Sequence, residues 1–539
     1  MSETNDLVTV VPEKLQQHAN FLGEPLLSYI LNLPEQEIKA LIKEGGEVDA
    51  KRLVYIDQLD QVMDQVKKNR INDQAIHFAD YAYLSNLQLA NESYLFNAIR
   101  NDLYDSPAPQ QFDDPVLECF AELGAESYPY FLLPKDNRFS ELDLCIPYFI
   151  GTKILSRTED AILLDPDLSN IFPTVGSNGM ETVSRYHSST GHGGSLQLCT
   201  FPSMLLKNAY GWMRSQNLNN LDAYISAISD VLDMLRQAAR GEAVKIPIIY
   251  CFEGIRLPEG TKINAFNGII SNLSNGILDI LPQHGHPTSH NSDGVMGFVF
   301  VSEIEFRLHI TQPGDSAHDL GDLWPIKMID LNALHQITEK ISLSIALAIG
   351  PDAPAAASVI STYISDPLNG GHSSSCIRMM QTATNPITAT VDDCQRIQEW
   401  CKFVENADDQ KIDMANRRFL SAVTKRDDPI DGFVDSIIAM ENLFGERTAI
   451  ALSVAASVSK LVETDAERRK EVFEEVKKLY SRRSDIIHGK KQAPSHEDAV
   501  IFRDKSLGFV AECLRRLYRD DVELLQLSAN DRAKAIILN

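Results

Sequence analysis

SRRSDIIHGKK, residues 481–491 of the 539-residue chain, is the stretch that decides our interpretation of the fold. Apolar residues upstream of it recur at helical spacing and predict a helix over residues 465–488. The apolar stripe of this helix comprises Val472, Val476, Leu479, Tyr480 and Ile487. Stepping 100° per residue places Arg483 near the centre of the stripe. Because a buried guanidinium is costly without an anionic partner, we expect Arg483 to be a paired structural ion or a functional group.

The same helix is predicted to end at a histidine. His488 precedes Gly489, and glycine commonly ends helices in the left-handed conformation. A histidine in the last turn lies where the helix dipole favours its protonated form. Arg483 and His488 are therefore the first candidates for a site.

Two segments carry a resemblance to a known family. In residues 479–489, LYSRRSDIIHG, four residues separate an arginine from a histidine. This segment resembles the signature of HEPN domains, and in particular that of the Apea-like group of HEPN domains. Residues 433–445, FVDSIIAMENLFG, are similar to the acidic-centred helix that precedes the signature in that group. The resemblance covers about residues 411–520 and implies an all-α bundle there.

The resemblance also implies an activity, which is metal-independent cleavage of RNA. Histidine can take the proton from a ribose 2′-hydroxyl, and arginine can stabilise the charge that develops on the phosphoryl oxygens. In the family, transesterification leaves a 2′,3′-cyclic phosphate, and the helix packs against its copy in a second chain. We therefore expect Arg483 and His488 to be catalytic in a homodimer that needs no cofactor. The family further implies a toxin-like effector of abortive defence against phage.

Other residues are assigned to the same site. Glu441 is the candidate carboxylate partner of Arg483, through a bidentate bridge between two helices. Tyr480, Ser484 and Asp485 are expected to support the candidate pair. The residues expected to bind RNA are Lys477, Arg482, Lys490 and Lys491. Residues 468–491 contain nine Lys or Arg and four acidic residues, so a basic cluster surrounds the candidate pair.

Two alternatives to this nuclease remain open. Arg483 and Glu441 could form a purely structural bridge while His488 only caps a helix, and the basic run could be a solvated helix face. Ser484 also stands where many nuclease members have an amide or an acid. The alternative function is a non-catalytic HEPN dimer that binds nucleic acid or protein.

The remaining sequence predicts a multidomain chain. Three regions are expected: an N-terminal helical region over 1–106, a central α+β sensor or regulatory region over 107–380 with an unknown trigger, and a helical bundle over 381–539. Helices are predicted over 13–21, 25–31, 34–43, 49–67, 220–239, 325–349, 391–405, 411–424, 430–444, 446–462, 465–488, 497–518 and 524–537, and strands over 248–252, 295–301 and 304–310. Residues 370–375 are predicted to be a linker.

Composition limits the function classes. A net charge of −25 argues against a general nucleic-acid coat protein, although local positive charge can override the total. The apolar fraction of 44% is ordinary for a soluble protein, no long apolar run predicts a membrane span, and the first residues are polar. The eight cysteines are scattered without C-x-x-C spacing. A cytoplasmic protein with reduced core cysteines is expected.

Three further motifs each have a structural interpretation that is favoured over a functional one. Residues 26–41 have the spacing of apolar and turn residues that is typical of a helix-turn-helix. The second helix begins with the acidic residues Glu35 and Glu37, so a packing role is favoured over DNA binding. His284, His286 and His290 could converge on zinc, yet no cysteine lies near them. Residues 187–195 could hold an anion through backbone amides, but a polar loop is favoured because no lysine of a phosphate loop is present.

Overall fold

The structure is a computed structural model. It describes residues 7–68, 95–104, 112–133, 153–281, 286–287, 290–291, 294–313, 326–349, 357–369, 372–375, 387–445, 449–489 and 494–538. The chain is mostly helical, with a central strand-containing region and a C-terminal helical stretch. None of the described helices combines the length and apolarity needed to cross a membrane.

The described residues group into two compact units. The first draws on Met1–Ile246, Glu305–Ile329 and Ser365–His372, and the second on Pro247–Ile304, Asp330–Ile364 and Ser373–Asn539. Each unit is therefore built from separate stretches of sequence, in a division that differs from the three predicted regions.

The first unit is helical with two small sheets. Its helices are α1 (Pro12–Leu22), α2 (Glu24–Leu31), α3 (Glu35–Glu44), α4 (Ala50–Lys68), α5 (Leu95–Leu103), α6 (Pro115–Phe131), α7 (Lys153–Leu164), α8 (Phe201–Ser215) and α9 (Leu221–Ala239). The predicted helices α1 to α4 are confirmed to within one residue at each end. Strands β1 (Leu7–Val10) and β2 (Gly46–Asp49) form an antiparallel pair that the sequence did not predict. β3 (Val183–Ser188) lies between β4 (Gly193–Gln197) and β12 (Leu308–Ile310).

The second unit contains a six-stranded sheet in the order β14-β13-β5-β11-β8-β7. Its strands are β5 (Val244–Glu253), β7 (Lys262–Ala265), β8 (Gly268–Asn272), β11 (Gly297–Phe306), β13 (Ser358–Ile364) and β14 (His372–Ser375). The short strands β6 (Ile255–Arg256), β9 (His290–Asn291), β10 (Gly294–Val295) and β15 (Ile387–Thr388) complete the set in this unit, with helix α10 (Asn275–Ile280). The predicted linker over 370–375 is wrong at its end, because His372–Ser375 pair with β13 instead of running free.

The second unit also contains a group of helices. They are α11 (Leu331–Ala348), α12 (Val391–Asn406), α13 (Asp413–Thr424), α14 (Pro429–Phe444), α15 (Ile450–Val462), α16 (Ala466–Ile487), α17 (His496–Arg519) and α18 (Ala529–Leu538), with 3-10 turns at Gln410–Ile412 and Val522–Gln526. α14 packs against α13, α15, α16, α17 and α18 and is the central helix of this group. Its face is apolar and buried, since Phe433, Ile437, Met440 and Leu443 are all at most 1% exposed.

Helix α11 belongs with these C-terminal helices. Ile341, Ile345 and Leu347 are at most 1% exposed, and α11 packs on α12, α13 and α17. Arg515 of α17 donates its Nε hydrogen to the carbonyl oxygen of Leu347 at 2.8 Å. The C-terminal helices thus share their core with a segment that the sequence placed in the central region.

The cysteines that the structure describes are buried free thiols. Burial raises the pKa of Cys251 to about 12, and it does the same for Cys401. Both side chains therefore remain protonated core residues at neutral pH, as their scattered spacing predicts.

Candidate functional site

Helix α16 places the candidate residues near its C-terminal end. It begins after Asp465, whose side chain accepts hydrogen bonds from the backbone N–H groups of Glu467 and Arg468. It ends at His488, and Gly489 follows with a φ of +61°, the left-handed conformation that the sequence predicted. The predicted helix over 465–488 is confirmed.

The apolar stripe of α16 is shorter than predicted. Val476 and Leu479 are buried, whereas Ile487 is 48% exposed. The prediction that Ile487 belongs to the packed stripe is wrong, because spacing along a helix cannot show that the neighbouring helices cover only part of its length. Arg483 therefore lies at the margin of the packed face, with its side chain 21% exposed.

Glu441 of α14 is the carboxylate that Arg483 meets. The Nη2 atom of Arg483 lies 3.8 Å from Oε2 of Glu441, and the Glu441 side chain is 22% exposed. The other carboxylate oxygen, Oε1, accepts a 2.7 Å hydrogen bond from the hydroxyl of Tyr480. The predicted partner is thus present, but the predicted bidentate bridge is not, because the 3.8 Å between Nη2 and Oε2 is too long for a hydrogen bond.

The Arg483 guanidinium keeps hydrogen-bonding capacity in this arrangement. Its Nε atom is buried and has no hydrogen-bond partner among the described residues. At 3.8 Å, the contact between Nη2 and Glu441 is an ion pair that is longer than a hydrogen bond. A guanidinium held loosely by one carboxylate can still present donors to a second anion.

Tyr480 remains a hydrogen-bond donor across the physiological range. Burial, together with the hydrogen bond to Glu441 and the charge on that carboxylate, raises the pKa of Tyr480 to about 12. The phenol is therefore protonated at neutral pH and holds the Glu441 carboxylate in place. This contact gives Tyr480 a supporting position.

His488 lies at the end of α16 and is exposed. Its backbone N–H donates to the carbonyl oxygen of Ser484 at 3.1 Å, which closes the last turn. It follows Arg483 by five positions, so the two Cα atoms lie about 7.5 Å apart along an ideal helix axis. The structure therefore gives the pair two different settings, a half-buried arginine and a solvent-facing histidine.

The remaining assigned residues are spread over the surface of α16. Arg482 places its guanidinium carbon 5.2 Å from the ring centroid of Phe502 on α17. Lys477 is 55% exposed and lies 3.6 Å from Glu474. Ser484 and Asp485 are half-buried. Lys490 and Lys491 lie outside the described residues.

A buried carboxylate near the site was missed by sequence reasoning. Asp435 of α14 is 2% exposed, and it accepts hydrogen bonds from Arg418 at 2.8 Å, Arg426 at 2.7 Å and Ser421 at 2.9 Å. Burial opposes ionisation, but these donors hold the pKa of Asp435 below its ordinary value. Its position inside the apolar stripe of residues 433–445 was the available signal, and its partners come from α13 and from the segment before α14.

The histidine-rich segment gives no support to a zinc site. His284 lies outside the described residues, as does the side chain of His290. The Nε2 atom of His286 lies 2.9 Å from the carbonyl oxygen of Leu278, which is a structural contact. Within the described ranges, no cluster of three side chains suited to a metal ion occurs.

The turn between β3 and β4 surrounds a carboxylate and not an anion-binding space. Asp366 is fully buried and accepts hydrogen bonds from Thr190 and, at 3.2 Å, from Ser188. The Nδ1 atom of His192 lies 3.4 Å from the same carboxylate. Residues 187–195 are therefore a polar turn, as favoured above, although a strand does precede it.

Comparison of the chain with protein-family models, with curated proteins and with solved structures gives no match. The candidate site is therefore interpreted from its own geometry.

Proposed function

We propose that the C-terminal helices form a HEPN-like unit of the Apea-like kind that cleaves RNA as a metal-independent endoribonuclease. The observation that supports it best is the half-buried Arg483, held by Glu441 and followed five residues later by the exposed His488. A cation at the margin of a packed face, beside a titratable group at a helix end, is a suitable arrangement for a phosphodiester substrate.

The proposed reaction is an internal transesterification. His488 takes the proton of a ribose 2′-hydroxyl, and the 2′-oxygen attacks the adjacent phosphorus. Arg483 stabilises the negative charge on the phosphoryl oxygens while the bond to the 5′-oxygen breaks. The 5′-oxygen leaves with a proton from a general acid, so the products are a 2′,3′-cyclic phosphate and a 5′-hydroxyl.

A second copy of the chain would supply that acid. One histidine cannot act as base and acid in the same passage, so we propose a homodimer in which two Arg483 and His488 pairs share one cleft. Two exposed apolar side chains support an interface on this part of the unit. Ile487 is 48% exposed beside His488, and Ile501 of α17 is 59% exposed.

The proposed biological role is that of a toxin-like effector in anti-phage abortive defence. A free ribonuclease would harm its own cell, so we propose that the upstream region, predicted as a sensor with an unknown trigger, restrains the activity. The net charge of −25 supports restraint, because a polyanionic chain repels RNA.

The test compares variants of the full chain on labelled RNA in EDTA. Wild type is expected to cleave, and Arg483→Ala and His488→Ala are each expected to lose at least about 100-fold in rate. Arg396→Ala and His335→Ala are matched controls, since these side chains are 54% and 63% exposed and lie on α12 and α11, and should cleave like wild type. Circular dichroism confirms that each variant is folded.

The alternative is a non-catalytic HEPN dimer that binds nucleic acid or protein. The observation in its favour is that Arg483 already has an anionic partner in Glu441. RNA binding that depends on Arg483, without cleavage by any variant, would support this alternative and exclude the nuclease.

A further inference from the structure

The three-stranded sheet of the first unit has one buried face and one exposed face. β3 is its central strand and lies between β4 and β12. Successive residues of a strand alternate between the faces, and Tyr186, Ser188 and Leu308 are at most 8% exposed on one of them. Arg185 of β3 and its partner Ser195 of β4 are exposed on the other face.

Two histidines lie side by side on the exposed face. His187 of β3 is paired with His309 of β12 in the antiparallel register, and both side chains are half-buried. Their ring centroids are 6.3 Å apart and their planes are tilted by 46°, so neither ring stacks over the other. Partial burial and the neighbouring His309 lower the pKa of His187. At neutral pH this imidazole therefore contributes mainly a flat ring and not a charge.

Arginines flank the two rings. Arg185 lies two residues from His187 on the same face, and it has no carboxylate partner within the described part of the chain. Arg307 lies two residues before His309 at the same alternation, and its side chain is 49% exposed. It lies 3.7 Å from Glu305, which is 71% exposed, and exposed pairs of this kind are weak. Both guanidinium groups can therefore meet an incoming anion.

A lysine adds a third cation at the end of β3. Lys327 is exposed, and Ile329, two residues further on, donates its backbone N–H to the carbonyl oxygen of Ser189 at 2.8 Å. The charge of Lys327 and the two arginines exceeds that of Glu305, although the whole chain has a net charge of −25. A locally positive surface favours a polyanionic partner by charge complementarity.

We propose that this sheet face binds an unpaired segment of nucleic acid. Imidazole rings and guanidinium planes stack on unpaired bases, and arginine and lysine side chains meet the phosphate backbone. An acidic peptide would meet the same cations but would make no use of the two adjacent rings, so the polynucleotide is favoured. The inference is independent of the nuclease proposal, since it uses none of the residues of that site.

The test measures binding of fluorescein-labelled single strands to the full chain by fluorescence anisotropy. The strands have about 12 nucleotides, and the buffer contains about 0.15 M NaCl to screen non-specific attraction. One strand is DNA and the other is 2′-O-methyl RNA of the same sequence, and the proposed nuclease cannot cleave either because both lack a free 2′-hydroxyl. Wild type is expected to bind one of them at least about tenfold more tightly than a DNA duplex of equal length, because paired bases cannot stack on the rings. The strand that binds more tightly identifies the source of the ligand.

Variants of the sheet face separate stacking from charge. His309→Ala should weaken binding at least about fivefold, whereas His309→Phe should stay within about twofold of wild type because a phenyl ring also stacks on bases. Arg185→Ala should weaken binding at least about threefold and reduce its dependence on salt. Arg157→Ala and His335→Ala are matched controls, since these side chains are 56% and 63% exposed on α7 and α11, and the affinity should not change.

The proposal is overturned if neither strand binds saturably, or if His309→Phe loses as much affinity as His309→Ala. It is also overturned if Arg483→Ala weakens binding while Arg185→Ala and His309→Ala do not, because the strand would then lie on α16. Displacement of the strand by poly-glutamate at equal charge would indicate an acidic protein partner instead. Circular dichroism melting identifies misfolded variants, and the exposed Arg185→Ala carries the test if His309→Ala is unfolded. A failure of RNA cleavage in EDTA leaves these binding results unchanged, so the two proposals fail separately.

Discussion

At the scale of single residues, the site depends on how one carboxylate is shared. Glu441 accepts a hydrogen bond from Tyr480 at 2.7 Å and lies 3.8 Å from Arg483. The stronger contact therefore goes to the neutral donor, and the guanidinium is held mainly by charge. An arginine positioned in this way can bind a phosphate without first breaking a bidentate salt bridge.

The Arg483 and Glu441 contact can be measured with a double-mutant cycle. Arg483→Met and Glu441→Gln, singly and together, should give a coupling energy of about 0.5 to 1 kcal/mol in urea unfolding, because the pair is partly exposed. Glutamine is chosen as the replacement because its amide oxygen can still accept the hydrogen bond from Tyr480.

Arg468 and Glu463 supply the control for that cycle. Their atoms also approach to 3.8 Å, but the Arg468 side chain is 76% exposed, so their coupling should be near zero. Equal coupling in the two cycles would show that the partly buried position of Arg483 on α16, beside Glu441 of α14, adds nothing to the strength of the pair.

Asp435 should make the stability of the second unit depend on acid pH. Since its folded pKa is below the ordinary value of 3.8, its contribution is fully present above that value and is lost as pH falls through the folded pKa. Asp435→Asn should lower the free energy of unfolding by about 2 kcal/mol at pH 7 and flatten this acid dependence. Urea unfolding of wild type and of Asp435→Asn between pH 2.5 and pH 7 checks this prediction. If the free energies of unfolding of the two proteins depended on pH in the same way, the role given to Asp435 would be contradicted.

At the scale of helices and strands, local signals in the sequence were sufficient to predict the bounds of a helix when proline or glycine marks its ends. Pro429 begins α14, Gly445 follows it, and Gly489 follows the end of α16, so the bounds of both helices were predicted to within one residue. The strand β14 and the pairing of β1 with β2 were missed, because strands of only four residues form through partners that are distant in the sequence. The exposure of Ile487 was missed for the same reason.

The site was predictable to a similar extent. Sequence reasoning brought Arg483 and Glu441 together, because a cation near the centre of one apolar stripe needs an anionic partner and Glu441 is an acid at the edge of another. It could not find that Tyr480 takes one oxygen of Glu441, or that Arg482 lies over Phe502, since both contacts depend on the rotation of packed helices.

Arg532 is expected to stabilise the packing of α18 against the neighbouring C-terminal helices. It is fully buried, and it donates to the carbonyl oxygens of Leu443, Leu524, Leu525 and Leu527 at 2.7 to 3.2 Å. Arg532→Met leaves these acceptors unsatisfied and should cost about 3 kcal/mol or more in urea unfolding. Arg519→Met is the control, because its side chain is 46% exposed and the loss should stay below about 0.5 kcal/mol. Equal losses would refute the role of Arg532.

At the scale of the whole molecule, the C-terminal helices should not be separable at the predicted boundary near residue 381. A fragment of residues 381–539 lacks α11, whose buried face packs on α12, α13 and α17. We expect this fragment to show no cooperative thermal transition by circular dichroism, because it exposes that apolar surface to water.

A longer fragment provides the comparison. Residues 247–539 keep all stretches of the second unit and should melt cooperatively. Cooperative melting of the 381–539 fragment at the temperature of the full chain would show that α11 is dispensable and that the predicted boundary divides the fold correctly.

The central claim is that Arg483 and His488 direct attack by a ribose 2′-hydroxyl. The most direct measurement is the rate and end-group chemistry of cleavage in EDTA, for one RNA sequence and for its fully 2′-O-methylated form. The account predicts 2′,3′-cyclic phosphate ends from the RNA and no cleavage of the methylated strand. Cleavage of both strands at similar rates would contradict it.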